Sequence, residues 1–106
     1  MFAREVTIQL KPDSQAKFTQ TIEKEILPLL RSQTGFEDEL TLVAPGGAKA
    51  VAISLWERKE DADAYSRATY PQVVKALAGL IEGTPQVQTY EVSNSTRHRI
   101  AAYRAA

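Results

Sequence analysis

The chain contains no cysteine, which removes disulfides, thiolate catalysis and cysteine metal ligands together. It has one histidine, His98, set between Arg97 and Arg99, whose charges are expected to repel a bound cation. No metal site, cofactor or cofactor-binding motif is expected, and no phosphate-cradling glycine loop or Ser-His-Asp set is present. Neither sign of charge is in excess: 13 basic and 13 acidic residues cancel. A chain without a net field has little to recruit nucleic acid or an anionic membrane. No apolar run approaches the ~20 residues that span a bilayer. The start, MFAREVTIQL, lacks the basic head and long apolar stretch of a signal peptide, so a cytoplasmic protein is expected.

What remains is an ordinary globular composition, 43% hydrophobic and 25% charged over 106 residues, enough for one domain with one modest core. Val6, Ile8 and Leu10 alternate with polar residues, the period of a strand with one buried face. Pro12 stops it, and Asp13 or Ser14 is placed to cap a helix whose stripe is Phe18, Ile22, Ile26, Leu29 and Leu30. Pro28 predicts a kink there, or a break at which Pro28 starts a new turn. Gly35 suits a left-handed residue after the helix. Phe36–Val43 and Ala48–Trp56 read as a hairpin about Pro45-Gly46-Gly47. Lys59-Glu60-Asp61 opens a second helix with stripes Ala64/Tyr65/Ala68 and Val73/Val74/Leu77/Leu80/Ile81, kinked at Pro71 and ended by Gly83-Thr84-Pro85. Val87–Val92 is the fourth strand.

The order β-α-β-β-α-β predicts an α+β, ferredoxin-like domain: a four-stranded antiparallel sheet with both helices on one face. The third strand is apolar at both parities, with Val51, Ile53 and Leu55 on one side and Ala50, Ala52 and Trp56 on the other. Strands of that kind are buried on both faces. The helix-free face then needs a cover, and a second copy is the simplest one. The expected partner is the chain itself, in a homodimer packed sheet to sheet as an α+β barrel.

The stretches ILPLLRSQTGF (26–36), VAISLWERKEDADAY (51–65) and TPQVQTYEV (84–92), in this order and spacing, resemble the antibiotic-biosynthesis-monooxygenase-like (ABM) domains of the dimeric α+β-barrel superfamily. The resemblance covers about residues 4–92. It implies an ABM-like α+β-barrel domain over 1–92; residues 93–106 lie outside the resemblance and read as a basic C-terminal tail or dimer arm. Relatives of this kind include cofactor-independent monooxygenases of polycyclic phenols, quinol oxidases and haem-degrading enzymes. Trp56 matches a tryptophan widely shared at the end of strand three. Ala52 stands where polyketide-oxidising relatives often carry asparagine, and Ser54 replaces a common glutamate. Strand one has no asparagine, and Tyr65 and Ser66 stand where haem-degrading relatives carry histidine, which weighs against haem chemistry.

Several residues are candidates for a substrate pocket, each with a plainer role as packing. Trp56 offers a flat apolar face for stacking, or packs the strand end against the second helix. Ala52 and Ser54 beside it leave room for a small apolar or aromatic ligand, or admit bulky neighbours. Tyr65, Tyr70 and Tyr90 are hydrogen-bond donors rather than bases, since tyrosine titrates near 10; Gln9 is a polar contact or a solvated strand residue. The runs Glu37/Asp38/Glu39 and Glu60/Asp61/Asp63 read as solvated. No group able to take a phenolic proton is evident, so no catalytic residue is assigned. The tail carries three arginines and no acid. It is either an arm anchored by Ile100 and Tyr103 or an unordered terminus. Two functions follow: cofactor-independent oxidation of a small aromatic or quinone-like molecule, or a non-catalytic ligand-binding or stress-associated homodimer of the same fold. A purely structural module would show a closed core and no cavity.

Overall fold

A computed structural model describes residues 1–100. Alternation sets β1 (Phe2–Leu10), whose inward residues Phe2, Arg4, Val6, Ile8 and Leu10 are all buried. Pro12 and Asp13 turn the chain, Asp13 with φ +62°. Helix α1 (Gln15–Thr21) follows, with Ser14 at its N-cap position. Ser14 makes no side-chain cap bond; its carbonyl accepts the Phe18 amide at 2.8 Å instead.

The break expected at Pro28 takes a specific form. A π-helical segment, Ile22–Ile26, leads into α2 (Leu27–Arg31), where Pro28 lies in the first turn. Proline has no amide to donate, so the first turn of a helix is where it costs least. The widened π turn lets the chain restart there without losing its stripe. Phe18, Ile22, Ile26 and Leu30 remain buried along it.

Strands β2 (Phe36–Val43) and β3 (Lys49–Trp56) form the expected hairpin. Gly46 and Gly47 both hold positive φ at its tip, which only glycine adopts without strain. Two helices then replace the single kinked one: α3 (Lys59–Ala68) and α4 (Tyr70–Leu77), divided at Thr69 with Pro71 in the first turn of α4. The buried face of α3 is Asp61, Ala62 and Tyr65; of the expected Ala64/Tyr65/Ala68 stripe only Tyr65 lies on it, because both alanines are exposed.

The helix also ends earlier than its pattern suggests. Leu80 donates back to the Leu77 carbonyl in a turn, and β4 (Ile81–Glu91) starts at once. Gly83-Thr84-Pro85 is therefore not a helix stop. It is a register shift inside β4, opposite Thr7 and Gln9 of β1, with Gly83 at φ +69°. An outer strand tolerates proline at such a bulge, since no ladder bond is lost.

The sheet is four-stranded and antiparallel, in the order β2-β3-β1-β4. The core lies between one sheet face and the helices, with Trp56 and Phe18 wholly enclosed. The other face carries Leu40, Leu42, Val51, Ile53, Leu55 and Tyr90 with no helix over it. Leu40 is 57% exposed there. From the end of outer strand β4 the chain crosses to the opposite outer strand, where His98 Nε2 lies 3.3 Å from Asp38 Oδ2. Asp38 shares its row with Leu55, so this contact is on the helix-free side. Tyr103, the second expected tail anchor, lies outside the described residues. Among the described residues, no helix is long and apolar enough to cross a membrane.

Candidate functional site

On the helix side of the sheet, a polar row crosses an otherwise oily face. Glu39 of β2 pairs with Ser54 of β3, and Ser54 pairs with Arg4 of β1. Around this row the sheet, the π segment, α2, α3 and α4 leave a narrow, partly open space of about 40 Å³. Its lining runs from Glu39 on one outer strand to Pro85 on the other, with Ala52, Ser54 and Arg4 between. Ile22, Ile26, Leu30, Tyr65, Tyr70, Val73, Val74 and Leu77 close it from the helix side. Such a volume holds a few waters, against the ~300–1,000 Å³ of a drug-sized ligand site. A one-ring ligand enters only if the helix layer yields.

Four of the sequence-derived pocket candidates meet here: Ala52, Ser54, Tyr65 and Tyr70. Trp56 does not present a stacking face. It is 0% exposed, sealed by Tyr65 at 5.0 Å between ring centroids and by the edge of Phe36 at 5.6 Å. Its Nε1–H donates to Ser54 Oγ at 2.9 Å, so it anchors the cavity floor from below. Tyr90 and Gln9 lie on the opposite sheet face, away from the cavity, because their register partners Ala3 and Lys49 point that way.

Two lining groups were missed. Arg4 is 4% exposed, yet the ion pairs among the described residues are Arg58–Asp61 and Lys59–Asp63, with His98 the only other basic side chain against a carboxylate, that of Asp38. Its guanidinium lies over the rings of Tyr70, at 4.0 Å, and Tyr65, at 5.4 Å. Burying a cation costs several kcal/mol, and a desolvated cation–π contact returns about 2 kcal/mol. Aromatic contact alone leaves this charge under-compensated. No fully enclosed side-chain nitrogen or oxygen among the described residues lacks a partner, so the guanidinium keeps its access through the cavity it lines. The signal was its parity: Arg4 shares the inward phase of Phe2, Val6 and Ile8.

Glu39 is the second. Burial pushes its carboxyl above the ordinary value, opposed by the hydrogen bond that Thr41 Oγ1 donates to Oε2 at 2.8 Å, and Asp38 raises it further. It is half-buried at the cavity rather than solvated, so a proton acceptor is present after all. A bulge between Phe36 and Asp38 sets its phase, and that bulge is not visible in the sequence pattern. Tyr65 is pushed up to about 12 by burial, only partly offset by the Arg4 charge. It therefore stays a donor. Asp61 also departs from the solvated reading: it is buried, paired with Arg58 at 3.2 Å, and packs on Gly35. A Cβ on Gly35 would sit 2.0 Å from Asp61 Oδ2, which with φ +77° explains the glycine. Among the described residues, no three His, Asp or Glu side chains gather as a metal-ligand group.

No family model and no curated protein matches the chain by sequence. Solved structures do match by fold. The ActVA-Orf6 monooxygenase of Streptomyces coelicolor, solved with nanaomycin D, superposes with a TM-score of 0.75 at 18% identity, covering 89% of this chain and 88% of that one. A candidate antibiotic biosynthesis monooxygenase from Deinococcus radiodurans gives 0.74 at 15%, over 90% and 95%. A protein of unknown function from Nitrosomonas europaea gives 0.75 at 17%, over 90% and 91%. The chain thus has the fold of an antibiotic-biosynthesis-monooxygenase-like domain, the ferredoxin-like α+β form with a four-stranded antiparallel sheet.

Proposed function

We propose that the protein is an ABM-type monooxygenase that oxidises a small aromatic or quinone-like molecule with dioxygen and without a cofactor, as a homodimer closed through the helix-free sheet face. The observation that carries this reading is the cavity in which a carboxyl, Glu39, shares a lining with the donor Tyr65. Glu39 takes the phenolic proton of the substrate, and Tyr65, held protonated by burial, donates to the resulting oxyanion. An electron-rich phenolate can pass an electron to oxygen itself. At an activated ring CH₂, one oxygen atom becomes the new carbonyl and the other leaves as water, carrying the two hydrogens lost. The protein supplies orientation and a dry site.

Oxygen uptake with a panel of hydroquinones and anthrones tests this. Wild type turns over at least one, while Glu39→Gln loses about 100-fold or more of kcat, as removal of a general base should. Equal rates in the two proteins refute the role of Glu39. The second reading is a ligand-binding homodimer without turnover. Ligand binding with no oxygen uptake anywhere in the panel selects it.

A further inference from the structure

The charge on Arg4 has no counter-ion among the described residues, and the nearest acidic member of its row is Glu39, two strands away. Strands lie about 4.8 Å apart, so the two positions are separated by roughly 10 Å of backbone. Their side chains both line the same cavity, with Ser54 between them in the row. One end of the space is a cation, the other a hydrogen-bond acceptor, and the flanks are aliphatic and aromatic.

We infer that the cavity takes a single-ring aromatic acid bearing a hydroxyl, its carboxylate on Arg4 and its hydroxyl toward Glu39. A guanidinium presents a planar fork of donors that matches a carboxylate better than it matches a single phenolate oxygen. The reverse orientation would bring a carboxylate against Glu39 and leave Arg4 without its counter-charge. The narrow volume selects one ring over a polycycle, because each added ring demands a larger retreat of α4 and the π segment. Tyr65 and Tyr70, already against the guanidinium, hold it over the ligand rather than folded back to solvent. The inference rests on the cavity being the ligand site proposed above, but not on turnover there.

The test is calorimetric titration of the full chain at pH 7 with para-hydroxybenzoate, its methyl ester, para-methoxybenzoate and hydroquinone. Wild type is expected to bind para-hydroxybenzoate about tenfold or more tightly than the ester, the value of one charge-assisted contact. The para-methoxy acid, which cannot donate to Glu39, binds more weakly than the hydroxy acid. In Arg4→Met the acid falls to the affinity of the ester, which itself is unchanged. Acid and ester binding alike in wild type overturns the inference, as does an Arg4→Met protein that keeps the preference. Absence of binding by any of the four overturns it too. The wild-type comparison stands even if Arg4→Met does not fold. Oxygen uptake is measured separately: turnover of hydroquinone or anthrones with no acid preference sinks the inference and spares the proposed function. Arg4-dependent acid binding without oxygen uptake does the reverse.

Discussion

The bond from Trp56 Nε1–H to Ser54 Oγ ties the sealed core to the cavity floor, and its strength is measurable. Ser54→Ala leaves a buried indole N–H without an acceptor, at a cost of about 1–3 kcal/mol. Trp56→Phe keeps a ring against Tyr65 and Phe36 but removes the donor and leaves a void. Complete truncation of a buried tryptophan costs ~3–5 kcal/mol, so the phenylalanine should cost on the order of 1.5–3. The double variant is expected to lose less than the sum of the two, by ~0.5–1.5 kcal/mol, since neither partner is then left unpaired. A domain of this size has roughly 5–15 kcal/mol in hand, so the variants should remain folded. Urea unfolding followed by far-ultraviolet circular dichroism at one protomer concentration provides the four values; fluorescence is unsuitable because Trp56 is the only tryptophan. Additivity within ~0.3 kcal/mol would refute the coupling and free Ser54 to face the cavity alone.

Three further outcomes are expected. Tyr65, pushed up to about 12 from 10.0, contributes stability below pH 10 that is lost as pH rises toward 12, because the unfolded chain gives up that proton first; a tyrosinate absorbance titration of wild type against Tyr65→Phe should lose one late-ionising group, and an unchanged curve contradicts its burial. Glu39, also raised by burial, destabilises the fold as pH climbs through and above its ordinary value of 4.5, so Glu39→Gln should be more stable than wild type at pH 7 and indistinguishable at low pH; lower stability at pH 7 contradicts this. Sedimentation should show a dimer at micromolar concentration that Leu40→Asp with Leu42→Asp converts to a monomer of unchanged circular dichroism. A wild-type monomer excludes the sheet-to-sheet closure.

Periodicity carried most of the fold into the sequence. Inward and outward residues of β1 and β3 separate cleanly, and Pro28 and Pro71 mark where helices restart. The end of α4 was harder, since Leu80 and Ile81 continue its apolar pattern while belonging to a turn and a strand. The site was only half legible. Tyr65, Tyr70, Ala52 and Ser54 follow from their places beside the end of β3, but Trp56 stacks inside the protein because Phe36 and Tyr65 reach it first. Arg4 hid as one charge in an apolar phase, and Glu39 hid in an acidic run. A register shift in β2 decides which of those acids turns inward, and registers depend on pairing with another strand rather than on local spacing.

The isolation of the lone indole beneath Tyr65 has an optical consequence. Its emission should be blue-placed and shielded from aqueous quenchers such as iodide, and it reports from one floor board of the cavity. Any molecule that prises Tyr65 or Ser54 aside alters that light directly, so the protein carries its own unlabelled gauge of occupancy.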